Sequence, residues 1–233
     1  MKLIKLLIIA ILSFAIAIPA MAQNNEQNTQ EQKSTPSILQ SLLSIFKSPE
    51  NRLTTRGEKV CLISPGKLGE NTVHSDRPLL IWSLLQPDVP ESNLNFYSDT
   101  ANFNYEQDSQ LVWNQTIPAN TPKILYAGEI LQPGIYKWEL VFPDKTYSSE
   151  FTLMGEAERE AITTELSSLR QQLTASNKNE SEKAIAIADF FAQKGLLSDS
   201  IQQLYSIEQP STELLTKRQE MENYFCSSSE DNG

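Results

Sequence analysis

The chain has 233 residues, 39% hydrophobic and 21% charged, with 29 acidic against 19 basic side chains and a net charge of −10. A surface this acidic repels phosphate backbones and anionic lipid, so nucleic-acid binding is not expected. One histidine and two cysteines leave little material for metal or nucleophile chemistry.

The chain opens MKLIKLLIIAILSFAIAIPAMAQNN. Lys2 and Lys5 precede an apolar run from Leu6 to Ile18, and Ala20-Met21-Ala22 supplies an A-x-A-like cleavage site. Residues 1–22 therefore read as a secretory signal, leaving an exported chain that starts at Gln23 and keeps no membrane span, with a retained N-terminal anchor as the alternative. Gln23 in place of a cysteine argues against a bacterial lipid anchor there. The periplasm and the outside of the cell are both open as destinations.

Residues 23–55 form the next segment. Its first part, 23–35, has no apolar group with which to offset ordering entropy and reads as a disordered leader. Ile38, Leu39, Leu42, Leu43, Ile45 and Phe46 then share one stripe of a short amphipathic helix, opened by Pro36 and stopped before Pro49. Packing on the chain's own domain is its plain role. Docking on a partner or a membrane is the sharper one, and the low basic charge of its polar face weakens the membrane version.

Residues 56–154 carry eight short strand-like runs: KVCLIS, PLLIWSLL, NLNFYS, FNYEQ, QLVWNQTI, KILYAGEI, GIYKWELVF and TYSSEFTL. Breaks at Pro65-Gly66, Pro87-Asp88, Ser98-Asp99, Pro118, Pro133-Gly134 and Pro143-Asp144 separate them. Short strands at this spacing predict an antiparallel β-sandwich of the immunoglobulin or fibronectin kind. The run Leu131-x-Pro133-Gly134-x-Tyr136 matches the tyrosine corner of such folds, in which the tyrosine hydroxyl ties back to the backbone. Pro133, Gly134, Tyr136 and Trp138 are thus expected to build a structural corner and its core strand.

After Gly155 the apolar period changes from two to about 3.6, with Ile162, Leu166, Leu169 and Leu173 on one helical stripe. Asn179 and Glu182 have capping-box spacing for a second helix. Ile187, Ala188, Phe191, Gly195, Ser200, Leu204 and Ile207 have the spacing of one tetratricopeptide unit, with Ser200 in place of the usual alanine. A further helix is expected from about Glu213 to Phe225, and residues 155–226 form a helical region before a disordered tail at 227–233. One such unit cannot bury both faces, so it either packs on the sandwich or presents a groove to another protein. In the second case Phe191, Leu196, Leu197 and Tyr205 are the candidate partner surface.

Cys61 and Cys226 are both in the exported part, where an even pair can form a disulfide joining the first strand to the last helix. Whether they meet is left open by their separation.

Taken together, the export signal, TTRGEKVC, SDRPLLIW, LQPGIYKW and the helical tail resemble a cyanobacterial exported family known as domain of unknown function 928. The matching residues are Arg56, Gly57 and Cys61, then Asp76, Arg77 and Pro78, then Pro133, Gly134, Tyr136 and Trp138. The resemblance implies an envelope or extracellular protein with a β-sandwich and no established activity. The family's cysteine after the Tyr-x-Trp strand is replaced here by Val141 and Phe142, which implies that Cys61 pairs with Cys226 or stays free.

No phosphate-loop, dinucleotide, HExxH or GxSxG motif is present. His74, Ser75 and Asp76 are adjacent and cannot form a triad by themselves. Asp99, Glu106 and Asp108 read as solvated turn acids, and no metal or cofactor site is expected. Trp82, Phe96, Tyr97, Phe103, Tyr105 and Trp113 would stack on sugar rings if they shared an exposed face; most are expected in the core. The expected function is a non-enzymatic protein-interaction or scaffold module of the cell envelope with an unidentified envelope protein as partner. A carbohydrate-binding module contacting polysaccharide through exposed aromatics is the alternative.

Overall fold

The structure is a computed structural model that describes residues 38–47, 58–68, 71–99 and 109–226. The expected signal, leader and tail lie outside these residues, as do Arg56, Gly57, Phe103, Tyr105, Glu106 and Asp108.

The described elements run α1 (Ile38–Phe46), β1 (Val60–Ser64), β2 (Thr72–Val73), β3 (Leu79–Leu84), β4 (Ser92–Asp99), β5 (Ser109–Ile117), β6 (Lys123–Leu125), β7 (Gly134–Val141) and β8 (Thr146–Leu153). Four helices follow: α2 (Glu156–Ala175), α3 (Glu180–Gln193), α4 (Leu197–Tyr205) and α5 (Thr212–Phe225). The architecture is mixed α/β, with a three-stranded sheet in the order β1-β3-β6 and a five-stranded sheet in the order β2-β8-β7-β4-β5. Pairing is antiparallel except between β2 and β8.

The five-stranded sheet follows from period-two patterning. Leu94 and Phe96 of β4, Tyr136, Trp138 and Leu140 of β7, and Phe151 and Leu153 of β8 all enter one core. Val60 and Leu62 of β1 and Leu80 and Trp82 of β3 enter the same core from the other sheet. Trp138 is fully buried, and its indole donates to the carbonyl of Pro65 at 3.1 Å. Ser149 donates to that carbonyl as well, at 2.8 Å. The turn that supplies it is closed by Gly66 at φ +95°, where an added Cβ would lie 2.0 Å from the carbonyl oxygen of Glu150.

The remaining residues of β1 and β3 point the other way. Cys61 and Ile63 of β1 and Ile81 of β3 join a second core with Leu42, Leu43 and Phe46 of α1, Ala188 and Ala192 of α3, Ile201 and Leu204 of α4, and Leu214, Met221 and Phe225 of α5. The three-stranded sheet is therefore covered on both faces, by the other sheet and by the helices. This explains why VCLI and LLIW read as continuous apolar runs rather than alternating ones. A disulfide joins Cys61 to Cys226 across this second core, with their Cα atoms 5.9 Å apart. It links β1 to the end of α5 over a sequence separation of 165.

Side-chain caps open α3 and α5, whereas α2 and α4 begin without one. Asn179 accepts from the Glu182 backbone N–H at 2.9 Å while Glu182 accepts from the Asn179 N–H at 3.1 Å, the full capping box. Ser211 caps α5 by accepting from Leu214 N–H. Ser200, where a tetratricopeptide unit has alanine, donates to the Ala188 carbonyl at 2.6 Å and so pins α4 against α3.

Two strand boundaries differ from the sequence reading. KILYAGEI is strand only at Lys123–Leu125, because Tyr126 turns inward to pack on Phe96 at 4.6 Å and the chain bends beyond it. The two-residue β2 was not foreseen, being too short to carry a periodic signal.

Candidate functional site

The four residues that would face a partner if the hairpin presented a groove are inside the protein. Phe191 and Leu196 belong to a small core between α2 and α3, and Leu197 and Tyr205 belong to the core beneath the three-stranded sheet. The partner surface expected at these positions is thus corrected: α1, the sheet and α5 fill the space a second tetratricopeptide unit would occupy. Tyr205 illustrates the cause. Its hydroxyl donates to Glu222 Oε1 at 2.5 Å, and its ring lies near Lys123 Nζ (5.5 Å) and the Arg218 guanidinium (4.9 Å). Its carbonyl accepts from Lys123 Nζ at 2.8 Å, while Arg218 donates to the Leu204 and Ile207 carbonyls at the end of α4. Burial pushes the Tyr205 hydroxyl far up and holds Lys123 below the usual lysine range, with Arg218 adding repulsion to Lys123. The group fastens β6, α4 and α5 together.

The corner residues also act structurally. Tyr136 donates its hydroxyl proton to the Gln132 carbonyl at 2.6 Å and accepts from the Gln132 N–H at 3.1 Å. Pro133 and Gly134 lie between those two residues, and Trp138 packs on Trp82 with ring centroids 6.2 Å apart.

The stretch around His74 latches the sheets to the helices. Asp199, in the first turn of α4, is buried and accepts from the backbone N–H groups of His74 and Ser75, both at 2.8 Å. Burial raises its carboxyl from the ordinary value to about 6, against the lowering effect of those bonds. Gln202 of α4 accepts from Leu79 N–H at 3.0 Å and donates to Ser75 Oγ and the Arg77 carbonyl. The His74 ring nitrogen Nε2 is 3.0 Å from Thr163 Oγ1, whose own proton goes to the Arg159 carbonyl. Nε2 is therefore the donor, and the imidazole has a structural partner rather than an acid–base one. Burial holds His74 below the ordinary histidine range. Sequence reading passed over Asp199 because an acid in a first helical turn is ordinarily solvated and favoured by the helix dipole.

The aromatic candidates do not gather on one open face. Trp82 and Phe96 are buried, and Trp113 is half-buried with its ring 5.1 Å from that of Tyr126. Tyr97 is half-buried on β4. Among the described residues there is no group of three or more His, Cys, Asp or Glu side chains placed to hold a metal ion.

An open groove of about 990 Å³ lies where α2, α3 and the α4–α5 link diverge. Its origin lies in the apolar stripe of α2. Ile162 and Leu166 are buried against α3, but Leu169 and Leu173, further along the same stripe, are only partly covered. The groove opens over Leu173, with Ala184, Ile185 and Ile187 of α3 and Ile207 beyond α4 as its other apolar contributors. Glu180, Glu182, Glu208 and Glu213 stand around it with Arg170 and Lys183. Glu180 pairs with Lys183 at 2.8 Å and Glu182 with Lys178 at 3.0 Å. The lining is therefore apolar at its base and carries more negative than positive charge at its rim. The sequence contained the stripe but not the loss of cover along it, which depends on how far α3 and α4 reach.

No family model matches the chain, and no curated protein matches it. A solved structure described as a "Putative Lipoprotein from Bacillus anthracis" aligns over 42% of this chain and 74% of its own length, at 16% identity and a TM-score of 0.25. At that score the likeness carries no argument about this chain. No described helix is long and apolar enough to cross a membrane.

Proposed function

We propose that the chain is a non-enzymatic, exported protein-interaction module of the cell envelope, and that the groove over Leu173 takes an apolar segment with basic flanks from an envelope protein. The observation that carries this reading is the α2 stripe, apolar in sequence throughout but left partly uncovered at Leu169 and Leu173. A concave surface with an apolar lining and a few polar groups around it is the usual form of a binding site. The excess of acids at the rim favours a basic segment over an acidic one. Export is supported by the signal-like first 22 residues and by the Cys61–Cys226 disulfide, a bond that persists in oxidising compartments.

On this reading the two sheets form a β-sandwich of the immunoglobulin or fibronectin kind, with the Tyr136 corner as its mark. The resemblance to the cyanobacterial exported family of domain 928 is retained with it. Carbohydrate binding through the sheet aromatics is the weaker reading, since Trp82 and Phe96 are in the core.

Site-specific photo-crosslinking tests the proposal in intact envelopes. A photoreactive residue at Ile207 should label one protein species, and the same probe at the exposed Gln193 should not. Labelling at both positions alike, or at neither, would count against the groove.

A further inference from the structure

The strand β5, Ser109–Ile117, lies at the end of the five-stranded sheet, and no described residue pairs with its outer side. It differs from the other sheet edges. β2 has two residues, β6 has three, and β1 is buried along its whole length. β5 has nine residues, exposed at every position except Trp113 and Ile117. Leu111 is 47% exposed and Val112 39%, and Val112 is the extra residue of a β-bulge, since Phe96 pairs with Trp113 and Tyr97 with Leu111. Folded proteins ordinarily blunt such edges with lysine, proline, bulges, short strands or cover. β5 has neither lysine nor proline within its span and is long; its bulge at Val112 leaves Trp113–Ile117 in regular register with β4.

Charge decides what the edge accepts. Residues 109–122, SQLVWNQTIPANTP, contain no charged side chain, in a chain whose net charge is −10. Two copies of so acidic a protein repel over most of their surfaces, and an uncharged strand is where they approach at least cost. An acidic or basic peptide would find no charge on β5 to recognise. The expected leader, residues 23–35, has no apolar side chain with which to cover Leu111 or Val112. A second β5 does have them, and antiparallel pairing about a twofold axis within the regular stretch Trp113–Ile117 matches backbone donors with acceptors. We infer that β5 is a self-pairing edge through which two copies of this chain join their five-stranded sheets into one continuous sheet. This stands apart from the groove reading, because β5 and the groove share no residue.

Sedimentation velocity across the micromolar range tests it, with a photoreactive residue at Asn114 as a second readout. The wild type should shift from monomer to dimer with concentration, and more readily at high salt, which screens the like charges. Leu111→Lys and Val112→Lys should each remain monomeric at concentrations where the wild type is dimeric. Their far-ultraviolet circular dichroism should be unchanged, since both side chains are already exposed. The Asn114 probe should yield an adduct of twice the chain mass. A wild type that is monomeric throughout, a dimer that survives both lysine variants, or an Asn114 adduct to residues 23–35 or 100–108 of the same chain would each overturn the inference.

Discussion

Replacing Asp199 with asparagine gives the sharpest test of how the helices are fastened to the sheets. Asp199 is held by two backbone N–H donors at 2.8 Å, yet its carboxyl is raised from 3.8 to about 6 because burial outweighs those bonds. A carboxyl whose folded value is raised binds its proton more tightly in the folded state. Its contribution is thus fully present below the unfolded value and is lost as pH rises through about 6. A shift of this size corresponds to about 3 kcal/mol over the full range, of which on the order of 1 kcal/mol has appeared by pH 5. The neutral-pH comparison with Asp199→Asn is not decisive, because losing the buried charge offsets leaving one N–H without an acceptor, a cost of about 1–3 kcal/mol. The slope is decisive.

Urea unfolding of both proteins, with the disulfide intact, should show the wild type gaining on the variant between pH 7.5 and pH 5. Other groups titrate there or below. His74, held low by burial, contributes stability that is present above its unfolded value and lost on acidification. Glu58 and Asp144, lowered by Lys145 and Lys59, lose theirs further down. Glu58 and Asp144 are remote from the latch and cancel in the difference, while His74, bonded to Asp199 through its N–H, opposes the expected trend. Parallel pH profiles would refute the reasoning by showing that the two N–H bonds balance burial, and a wild type that loses ground to the variant on acidification would show that they outweigh it.

Reducing the Cys61–Cys226 disulfide should lower stability by up to about 5 kcal/mol on the loop-entropy estimate for so long a separation, read as a fall in the urea midpoint with reductant. An unchanged midpoint would mean that the bond is absent or that the reduced unfolded chain is already compact. Tyr136→Phe removes the hydroxyl shared by the Gln132 carbonyl and N–H and should cost about 1–3 kcal/mol in thermal or urea unfolding. Leu173→Glu, at a partly covered position, should leave the unfolding free energy from urea titration within about 0.5 kcal/mol of wild type. A large loss there would place Leu173 in the core and remove the groove's apolar base.

The sequence was most informative where a local rule was sufficient. The Asn179–Glu182 capping box, the switch to helical period after Gly155 and the tie from Tyr136 to Gln132 each depend on residues a few positions apart. The long-range arrangement was less accessible. VCLI in β1 and LLIW in β3 announced strands buried on both faces, but a sandwich reading assigned them only one covering layer. The unbroken apolar run was the available signal for helices on the other side. Cys61 and Cys226 were visible as a pair, while their meeting depended on α5 returning to β1. Phe191, Leu196, Leu197 and Tyr205 look like the exposed face of a lone tetratricopeptide hairpin in sequence, and they are buried because α1, α2, α5 and the three-stranded sheet stand in for neighbouring repeats. The groove and the Asp199 latch arise from contacts between distant segments, which residue spacing does not encode.

This packing also decides how the interaction reading is best tested. Ending the chain at Gly155 would remove half of the disulfide and most of one core, so lost binding in such a form would report unfolding. The direct measurement is hydrogen exchange on the intact protein, alone and with the envelope protein captured from Ile207. The groove account predicts slowed exchange in residues 170–187 and 203–213, abolished by Leu173→Glu, with the outer strand β5 unchanged. Protection confined to the sheets, or equal in the Leu173→Glu variant, would contradict it.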